Sequence, residues 1–157
     1  RGLVGSEMCI RDRFRAKKIG IVYQQNNLLP DFTSLENIYL ASLSINNDKD
    51  VAISKAKQLL KKIGLSNRAD HYPSQLSGGE AQRIAIARAI INDPEIILAD
   101  EPTGSLDMRT AKVIFNLLKD QKRSDRLIIF ATHNRFFGNK ADCLLEILDG
   151  NIKSSNG

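Results

Sequence analysis

The chain has 157 residues, and its 23 Lys and Arg against 18 Asp and Glu give a net charge of +5 at pH 7. This excess is mild and is not gathered into a dense basic tract, so we expect no nucleic-acid partner. No apolar stretch approaches the roughly 20 residues that cross a bilayer, so membrane contact would require a partner protein. Its length suits one domain with its own core.

Residues 3–13 read Leu-Val-Gly-Ser-Glu-Met-Cys-Ile-Arg-Asp-Arg and resemble the translation of an adaptor used in sequencing libraries. We therefore expect residues 1–13 to be an artefact without a fold and residues 14–157 to form the domain. A genuine variable N-terminal segment is the alternative. Without residues 1–13 the net charge is +4, and Cys143 is the only remaining cysteine, which excludes an internal disulfide and reads as a small buried residue.

The first half of the domain predicts one strand followed by helices. Residues 18–24 have the β-branched and aromatic content of a strand, and residues 26–31 form a loop that contains Pro30. Thr33 and Glu36 have the spacing of a capping box, which predicts a helix from that point. A second helix is predicted over residues 48–63, and Gly64 would end it.

The second half alternates helices with continuous apolar runs. Such runs, separated by helices, predict a parallel sheet whose strands are buried on both faces. Residues 149–150, Asp-Gly, predict the turn of a closing hairpin. The predicted helices cover residues 79–92 and 108–122, and the predicted parallel strands cover residues 96–99 and 127–131. The predicted hairpin consists of residues 144–148 followed by residues 149–152, which begin with its turn.

Four polar residues lie at or just beyond the ends of predicted strands, where the ligand crevice of such sheets lies. Asp100 would supply an oxygen ligand to the Mg²⁺ that accompanies ATP. Glu101 is placed to act as general base on the attacking water, and His133 could bond the γ-phosphate. Gln24 could share the metal or the water. Each residue alone could equally be a solvated strand end or a satisfied polar group.

A second signal is the sequence Leu-Ser-Gly-Gly-Glu at residues 76–80. Gly78 and Gly79 would let the backbone approach a phosphate closely, and the N-terminus of the following helix would favour its negative charge. A helix-capping turn without a ligand is the alternative interpretation of Ser77, Gly78 and Gly79. The phosphate-binding sequence Gly-x-x-x-x-Gly-Lys-Ser/Thr occurs nowhere in the chain, so we expect the phosphate cradle to precede residue 14 in the complete protein.

Residues 14–150 together resemble the nucleotide-binding subunits of ABC transporters. The matches are Gln24 with the Q-loop, residues 76–80 with the family signature, residues 96–100 with the Walker B strand, Glu101 with the catalytic glutamate, residues 104–107 with the D-loop and His133 with the switch histidine. The resemblance implies an α/β fold with a P-loop NTPase-like parallel sheet core and a helical signature subdomain at about residues 33–80, without its N-terminal strands and P-loop. It also implies that two copies form a head-to-tail dimer, which holds two ATP molecules with Mg²⁺ between the copies. Ser77, Gly78 and Gly79 would then contact ATP held by the second copy, and Asp107 would couple the two sites.

Within that family, residues 23–37 look most like the lipoprotein-releasing branch. This resemblance implies integral-membrane permease subunits as partners and a peripheral location at the cytoplasmic face of the inner membrane. Residues 98–107 are shared with the cell-division ATPase and with macrolide-type exporters, so these remain alternatives. A third alternative is an inactive fragment that only dimerises, and this chain alone is expected not to turn over ATP.

Overall fold

The computed structural model describes residues 14–45, 48–148 and 151–156. The segment assigned to an adaptor, residues 1–13, and the expected hairpin turn at residues 149–150 lie outside the described residues. Residues 14–18 are helical and lead directly into the first strand.

Three parallel strands form the central sheet. They are β1 (Ile19–Val22), β2 (Ile96–Asp100) and β3 (Leu127–Ala131), in the order β1-β2-β3. Val22 pairs with Ala99, and Asp100 pairs with Ala131, so the carboxyl ends of all three strands meet at one edge. The predicted parallel sheet is confirmed, and β1 is shorter than expected because it ends two residues before Gln24.

Besides residues 14–18, the described residues form five helices, all of which follow β1 in the chain. Thr33 forms the predicted capping box with Glu36, Asp48 caps the second helix, and Gly64 after that helix has a φ of 71°. The helices are α1 (Ser34–Leu43), α2 (Lys49–Lys62), α3 (Gly78–Ile90), α4 (Met108–Lys119) and α5 (Arg135–Gly138), with short 3-10 turns at Ser66–Arg68 and Pro73–Gln75.

Helix α3 joins the two halves of the interior. Ile84 and Ala87 of α3 belong to an apolar cluster formed with α1 and α2. Ile86 and Ile90 of the same helix belong to a second cluster, formed with the sheet and α4. A helix that is apolar on several sides is expected at such a central position. The residues that begin α3 are therefore fixed relative to both halves.

Two sequence expectations are wrong. The strands are not buried on both faces, since Ile21, Leu127 and Ile129 are exposed on one face of the sheet. The described residues place α3 and α4 against the other face only. The hairpin forms as β4 (Cys143–Leu148) paired with β5 (Asn151–Asn156), but Cys143 is exposed rather than buried because the described residues do not cover this part of the hairpin.

None of the described helices is long and apolar enough to cross a membrane.

Candidate functional site

The residues predicted from the strand ends lie together at the carboxyl edge of the sheet, and we call Gln24, Asp100, Glu101 and His133 the strand-end cluster. Asp100 is the last residue of β2, and Glu101 follows it directly. His133 lies two residues beyond β3, and Gln24 two residues beyond β1. The three strands are adjacent and parallel, so their ends bring these side chains to one edge.

Glu101 and His133 are in direct contact. One carboxylate oxygen of Glu101, Oε1, accepts from the backbone N–H of His133 and from its ring Nδ1, each at 2.7 Å. The other oxygen accepts from the Thr132 hydroxyl at 3.3 Å. A carboxylate only accepts, so Nδ1 carries a proton in this contact and Nε2 points away from it. The His133 side chain is 79% exposed, which leaves Nε2 accessible to a ligand.

The backbone of Glu101 is strained. Its φ is +43°, in the left-handed region that costs a non-glycine residue roughly 1–2 kcal/mol. The Glu101 N–H donates to the carbonyl of Ala131 at 2.9 Å, which extends the pairing of β2 with β3 by one bond. This bond holds the residue at the strand end while its backbone turns away. Strain that is kept in this manner is typical of functional positions.

Gln24 reaches the segment that follows Glu101. A Cβ added at Gly104 would lie 3.0 Å from the Gln24 side-chain nitrogen Nε2 and 3.4 Å from the carbonyl oxygen of Glu101. The Gly104 N–H also donates to that carbonyl oxygen at 3.0 Å. Gly104 is thus the point where the residue after β1 and the turn after β2 meet, and its lack of a side chain keeps Gln24 close to Glu101.

Asp100 and Gln24 are the predicted metal ligands. The described residues contain no group of three or more His, Cys, Asp and Glu side chains that could hold a metal by themselves. Protein-bound Mg²⁺ commonly takes only one or two carboxylates and completes its shell with phosphate oxygens and water. An exposed Asp100 with the Gln24 amide on the neighbouring strand end fits such a nucleotide-assisted site.

Ser77, Gly78 and Gly79 lie apart from the strand ends, at the beginning of α3, and we call them the signature turn. The Ser77 hydroxyl accepts from the Glu80 N–H at 3.3 Å, and the Glu80 carboxylate accepts from the Ser77 N–H at 2.8 Å. Glu80 also receives a bond from Arg68 at 2.9 Å. These hydrogen bonds lower the pKa of Glu80 from 4.5 to about 2. The bond from the Ser77 N–H is the largest cause, and the bond from Arg68 is the next.

The signature turn packs against the segment that leads into α4. A Cβ on Gly79 would lie 2.4 Å from the Thr110 methyl carbon, whereas one on Gly78 would be in ordinary contact with Leu106 at 3.5 Å. Gly79 therefore has a packing reason within this chain, in addition to any close approach to a phosphate. Gly78 has no such constraint from the described residues, which leaves its backbone open to a ligand.

Asp107 caps α4. Its carboxylate accepts from the backbone N–H groups of Arg109 and Thr110 at 2.9 and 3.0 Å, and from the Thr110 hydroxyl at 2.6 Å. The Thr110 hydroxyl is the largest cause of a lowered pKa for Asp107. The carboxylate thus ties the segment after Glu101 to the residue that contacts Gly79.

Sequence reasoning missed Thr132 and Thr110, which support the two groups of predicted residues. Thr132 could have been found because it is the polar residue between β3 and His133. Thr110 carried no such signal, because its contact with Gly79 depends on how α3 and α4 approach each other.

This geometry agrees with a comparison to known protein families. The sequence pattern described as ABC transporter matches residues 4–104, which is more than half of the chain. The chain belongs to the ABC transporter family. The match includes Gln24, the signature turn, Asp100 and Glu101, and it begins within the segment that we assigned to an adaptor.

Several curated relatives are named as ATP-binding proteins of a lipoprotein-releasing system. A Xanthomonas campestris pv. campestris protein (strain 8004), "Lipoprotein-releasing system ATP-binding protein LolD", is 42% identical over 144 residues, which cover 91% of this chain and 60% of the relative. A protein of the same name from Rickettsia bellii (strain RML369-C) is 43% identical, covering 90% of this chain and 64% of the relative. The chain thus spans about 60% of the length of the curated relatives that it matches.

A solved structure confirms the fold. The dimeric post-hydrolysis state of the ATP-binding cassette MJ0796, bound to ADP and Pi, superimposes with a TM-score of 0.83 at 35% identity and covers 99% of this chain and 68% of that one. A second dimeric structure of MJ0796 gives a TM-score of 0.81 at 36% identity, over 92% of this chain and 65% of that one. The α/β fold of an ABC ATPase cassette, predicted from the sequence, is confirmed.

Proposed function

We propose that this chain carries the hydrolytic and signature residues of an ABC-type ATPase subunit. The observation that carries the proposal is the Glu101 carboxylate, which is held by the N–H and ring of His133 at the end of β2. A carboxylate in a fixed orientation next to a strand-end aspartate has the placement of a general base for water attack on a γ-phosphate.

The other strand-end residues have separate roles in this proposal. Asp100 and Gln24 would hold Mg²⁺, which supplies charge neutralisation to the phosphate oxygens when bound. His133 would bind the γ-phosphate through Nε2, because Nδ1 is engaged by Glu101. Ser77, Gly78 and Gly79 would contact ATP held by a second copy in a head-to-tail dimer, and Asp107 would connect the two sites. The two dimeric structures of MJ0796 support this assembly.

ATP turnover tests the assignment. The experiment uses a version of the chain in which a strand and a Gly-x-x-x-x-Gly-Lys-Ser/Thr loop precede residue 14, together with its Glu101→Gln variant. We expect Glu101→Gln to lower kcat by at least about 100-fold, as loss of a general base does. Glu95→Gln is the matched control, because Glu95 directly precedes β2, at the end of the strand opposite to Glu101.

Two results would contradict the assignment. Turnover that survives in the Glu101→Gln variant would remove Glu101 from the reaction. Turnover by the 157-residue chain itself, without the added loop, would show that the phosphates are held by residues other than those expected.

We further propose that the complete subunit powers lipoprotein release through integral-membrane permease subunits, at the cytoplasmic face of the inner membrane. The name shared by these curated relatives supports this substrate over the cell-division and macrolide-exporter alternatives. The loop between β1 and α1 offers the docking surface, since Leu29 and Phe32 are 43% and 39% exposed. Leu28 packs against the cluster of α1, α2 and α3 instead, so it is not a suitable test position.

Charge substitution of the exposed pair tests the permease contact. In the same turnover-competent version, we expect Leu29→Glu with Phe32→Glu to abolish stimulation by the permease and to leave basal turnover unchanged. Val113→Glu, at an exposed apolar residue of α4, is the control. Equal loss of basal and stimulated turnover would indicate misfolding and would contradict a docking role.

A further inference from the structure

The backbone around Gln24 is held by side chains from α3 on both sides. Before Gln24, the Gln82 side-chain nitrogen Nε2 donates to the carbonyl of Tyr23 at 2.9 Å. After it, the Arg88 guanidinium donates to the carbonyls of Asn26 and Asn27 at 2.9 and 2.7 Å. Within the described residues, these bonds attach the residues on either side of Gln24 to one helix.

Both side chains are well suited to fix a backbone segment. Gln82 is 3% exposed, so its bond to Tyr23 is shielded from water and costly to leave unmade. Arg88 is partly buried, and its planar fork binds two consecutive carbonyls, which restrains orientation as well as distance. Burial lowers the pKa of Arg88 from its usual value, in keeping with a guanidinium that serves the protein interior.

The same helix begins at the signature turn. Ser77 caps α3, and Gln82 and Arg88 follow on the same continuous helix, about 9 Å apart along its axis at 1.5 Å per residue. Because α3 is a single regular element, a displacement at Ser77-Gly78-Gly79 would move Gln82 and Arg88 as well. It would therefore move the backbone that carries Gln24.

We infer that Gln82 and Arg88 are positioning residues for Gln24, which set its place at the strand ends by the position of the helix that begins at the signature turn. The inference deepens the proposed function and rests on it, because Gln24 acts there on the metal or on the attacking water. Asn37 is not part of this pair, since it holds Leu29, Phe32 and Thr33 farther along the loop.

Nuclear magnetic resonance relaxation on the full 157-residue chain tests the inference. In Gln82→Met and in Arg88→Met, we expect the backbone order parameters of Gln24 and Gln25 to fall from about 0.85 to below about 0.6. Gln121→Met is the matched control, because Gln121 is also a buried glutamine. Its side-chain nitrogen Nε2 donates a hydrogen bond to a backbone carbonyl, that of Leu117 in α4, at 3.2 Å. In Gln121→Met, the order parameters of Gln24 and Gln25 should stay at the wild-type values.

A conservative variant separates positioning from simple packing. Arg88→Lys retains a charged donor, so it should restore part of the backbone order at Gln24 and Gln25 that Arg88→Met loses. If Gln82→Met does not fold, the comparison of Arg88→Lys with Arg88→Met tests the positioning of Gln24. Unchanged order parameters in both methionine variants would overturn the inference. An equal fall in Gln121→Met would also overturn it, since the effect would then reflect general destabilisation.

Turnover provides the second readout, in the version with the added phosphate-binding loop. Misplacement of Gln24 should lower kcat by about 10-fold to 100-fold while KM for ATP stays unchanged. An unchanged kcat would overturn the positioning role. If the parent version shows no turnover, the proposed function fails, whereas the order parameters still decide whether Gln82 and Arg88 position Gln24.

Discussion

Gly79 and Thr110 are so close that no side chain fits between them. A Cβ on Gly79 would lie 2.4 Å from the Thr110 methyl carbon, well inside van der Waals contact. Thr110 is held in place by its hydroxyl, which donates to Asp107 at 2.6 Å. The signature turn is therefore packed against the segment after Glu101, which connects the two groups of predicted site residues through contacts within one chain.

This contact predicts opposite effects of one substitution in two backgrounds. Gly79→Ala should destabilise the chain by about 1–3 kcal/mol, as overpacking does. In the Thr110→Ser background the methyl group is gone, and the next atoms are 3.8 Å or more from the added Cβ. There Gly79→Ala should be neutral or stabilising by up to about 1 kcal/mol, because alanine is a better helix former.

Urea unfolding of the four proteins, wild type, both single variants and the double variant, measures this coupling. Thr110→Ser keeps the hydroxyl that bonds Asp107, so the cap of α4 is retained. Additive effects of the two substitutions would contradict the proposed contact.

Gly104→Ala should displace Gln24 with little effect on stability. The added Cβ would lie 3.0 Å from Gln24 Nε2, which is the end of a flexible side chain and can move away. We expect the free energy of unfolding to change by less than about 0.5 kcal/mol. The side-chain amide resonances of Gln24 should shift, and turnover of the version with the added loop should fall.

Gly138→Ala is the matched control for Gly104→Ala. Its added Cβ would lie 3.3 Å from the end of another flexible side chain, that of Leu144, at the end of α5. It should leave the Gln24 resonances unchanged. Unshifted resonances in Gly104→Ala would show that the glycine does not keep Gln24 near Glu101.

Local signals in the sequence were sufficient for the elements and for the strand-end cluster. The capping box of Thr33 and Glu36 predicted where α1 begins, and apolar runs predicted β2 and β3. Polar residues at or just after the ends of parallel strands are brought to one edge by the topology alone, which is why the positions of Asp100, Glu101 and His133 could be predicted.

Contacts between distant segments could not be predicted in this manner. The exposed positions of β3 look identical in sequence to buried ones, because an apolar run does not reveal which neighbour covers it. Gln82 carries no signal within its helix, and its bond to Tyr23 spans 59 residues of sequence. The left-handed backbone of Glu101 was likewise not visible, since it depends on the pairing of β2 with β3.

Stability should depend on pH through Glu80. Its pKa in the folded chain is about 2, below the ordinary value of 4.5, so its charged form is stabilised by folding. That contribution is complete above about pH 4.5 and is lost as the pH falls towards about 2. Glu80→Gln should therefore be less stable than wild type at pH 7 and should lose less stability between pH 4.5 and pH 2.

Urea unfolding at several values of pH across this window measures the difference. Glutamine still accepts a bond from the Ser77 N–H, so the capping geometry is kept while the charge is removed. Asp93 and Asp107 also have lowered pKa values, so some pH dependence remains in the variant. Glu146→Gln, on exposed β4, changes the charge equally and should retain the wild-type dependence.

Asn37 should be required for the ordered loop between β1 and α1. It is 1% exposed, and its side-chain nitrogen donates to the carbonyls of Leu29, Phe32 and Thr33 at 3.1, 2.9 and 3.0 Å. Its side-chain oxygen accepts from the Leu29 N–H at 2.7 Å. Asn37→Leu removes all four bonds and should destabilise the chain by about 3 kcal/mol, since it leaves backbone groups unpaired.

Hydrogen exchange identifies the location of that loss. The Leu29 amide should lose its protection in Asn37→Leu before global unfolding, because its acceptor is gone. Asn116→Leu places the same substitution at an exposed position of α4 and should change neither stability by more than about 0.5 kcal/mol nor the exchange of Leu29. A protected Leu29 amide in Asn37→Leu would mean that the loop is held by its apolar contacts and not by this asparagine.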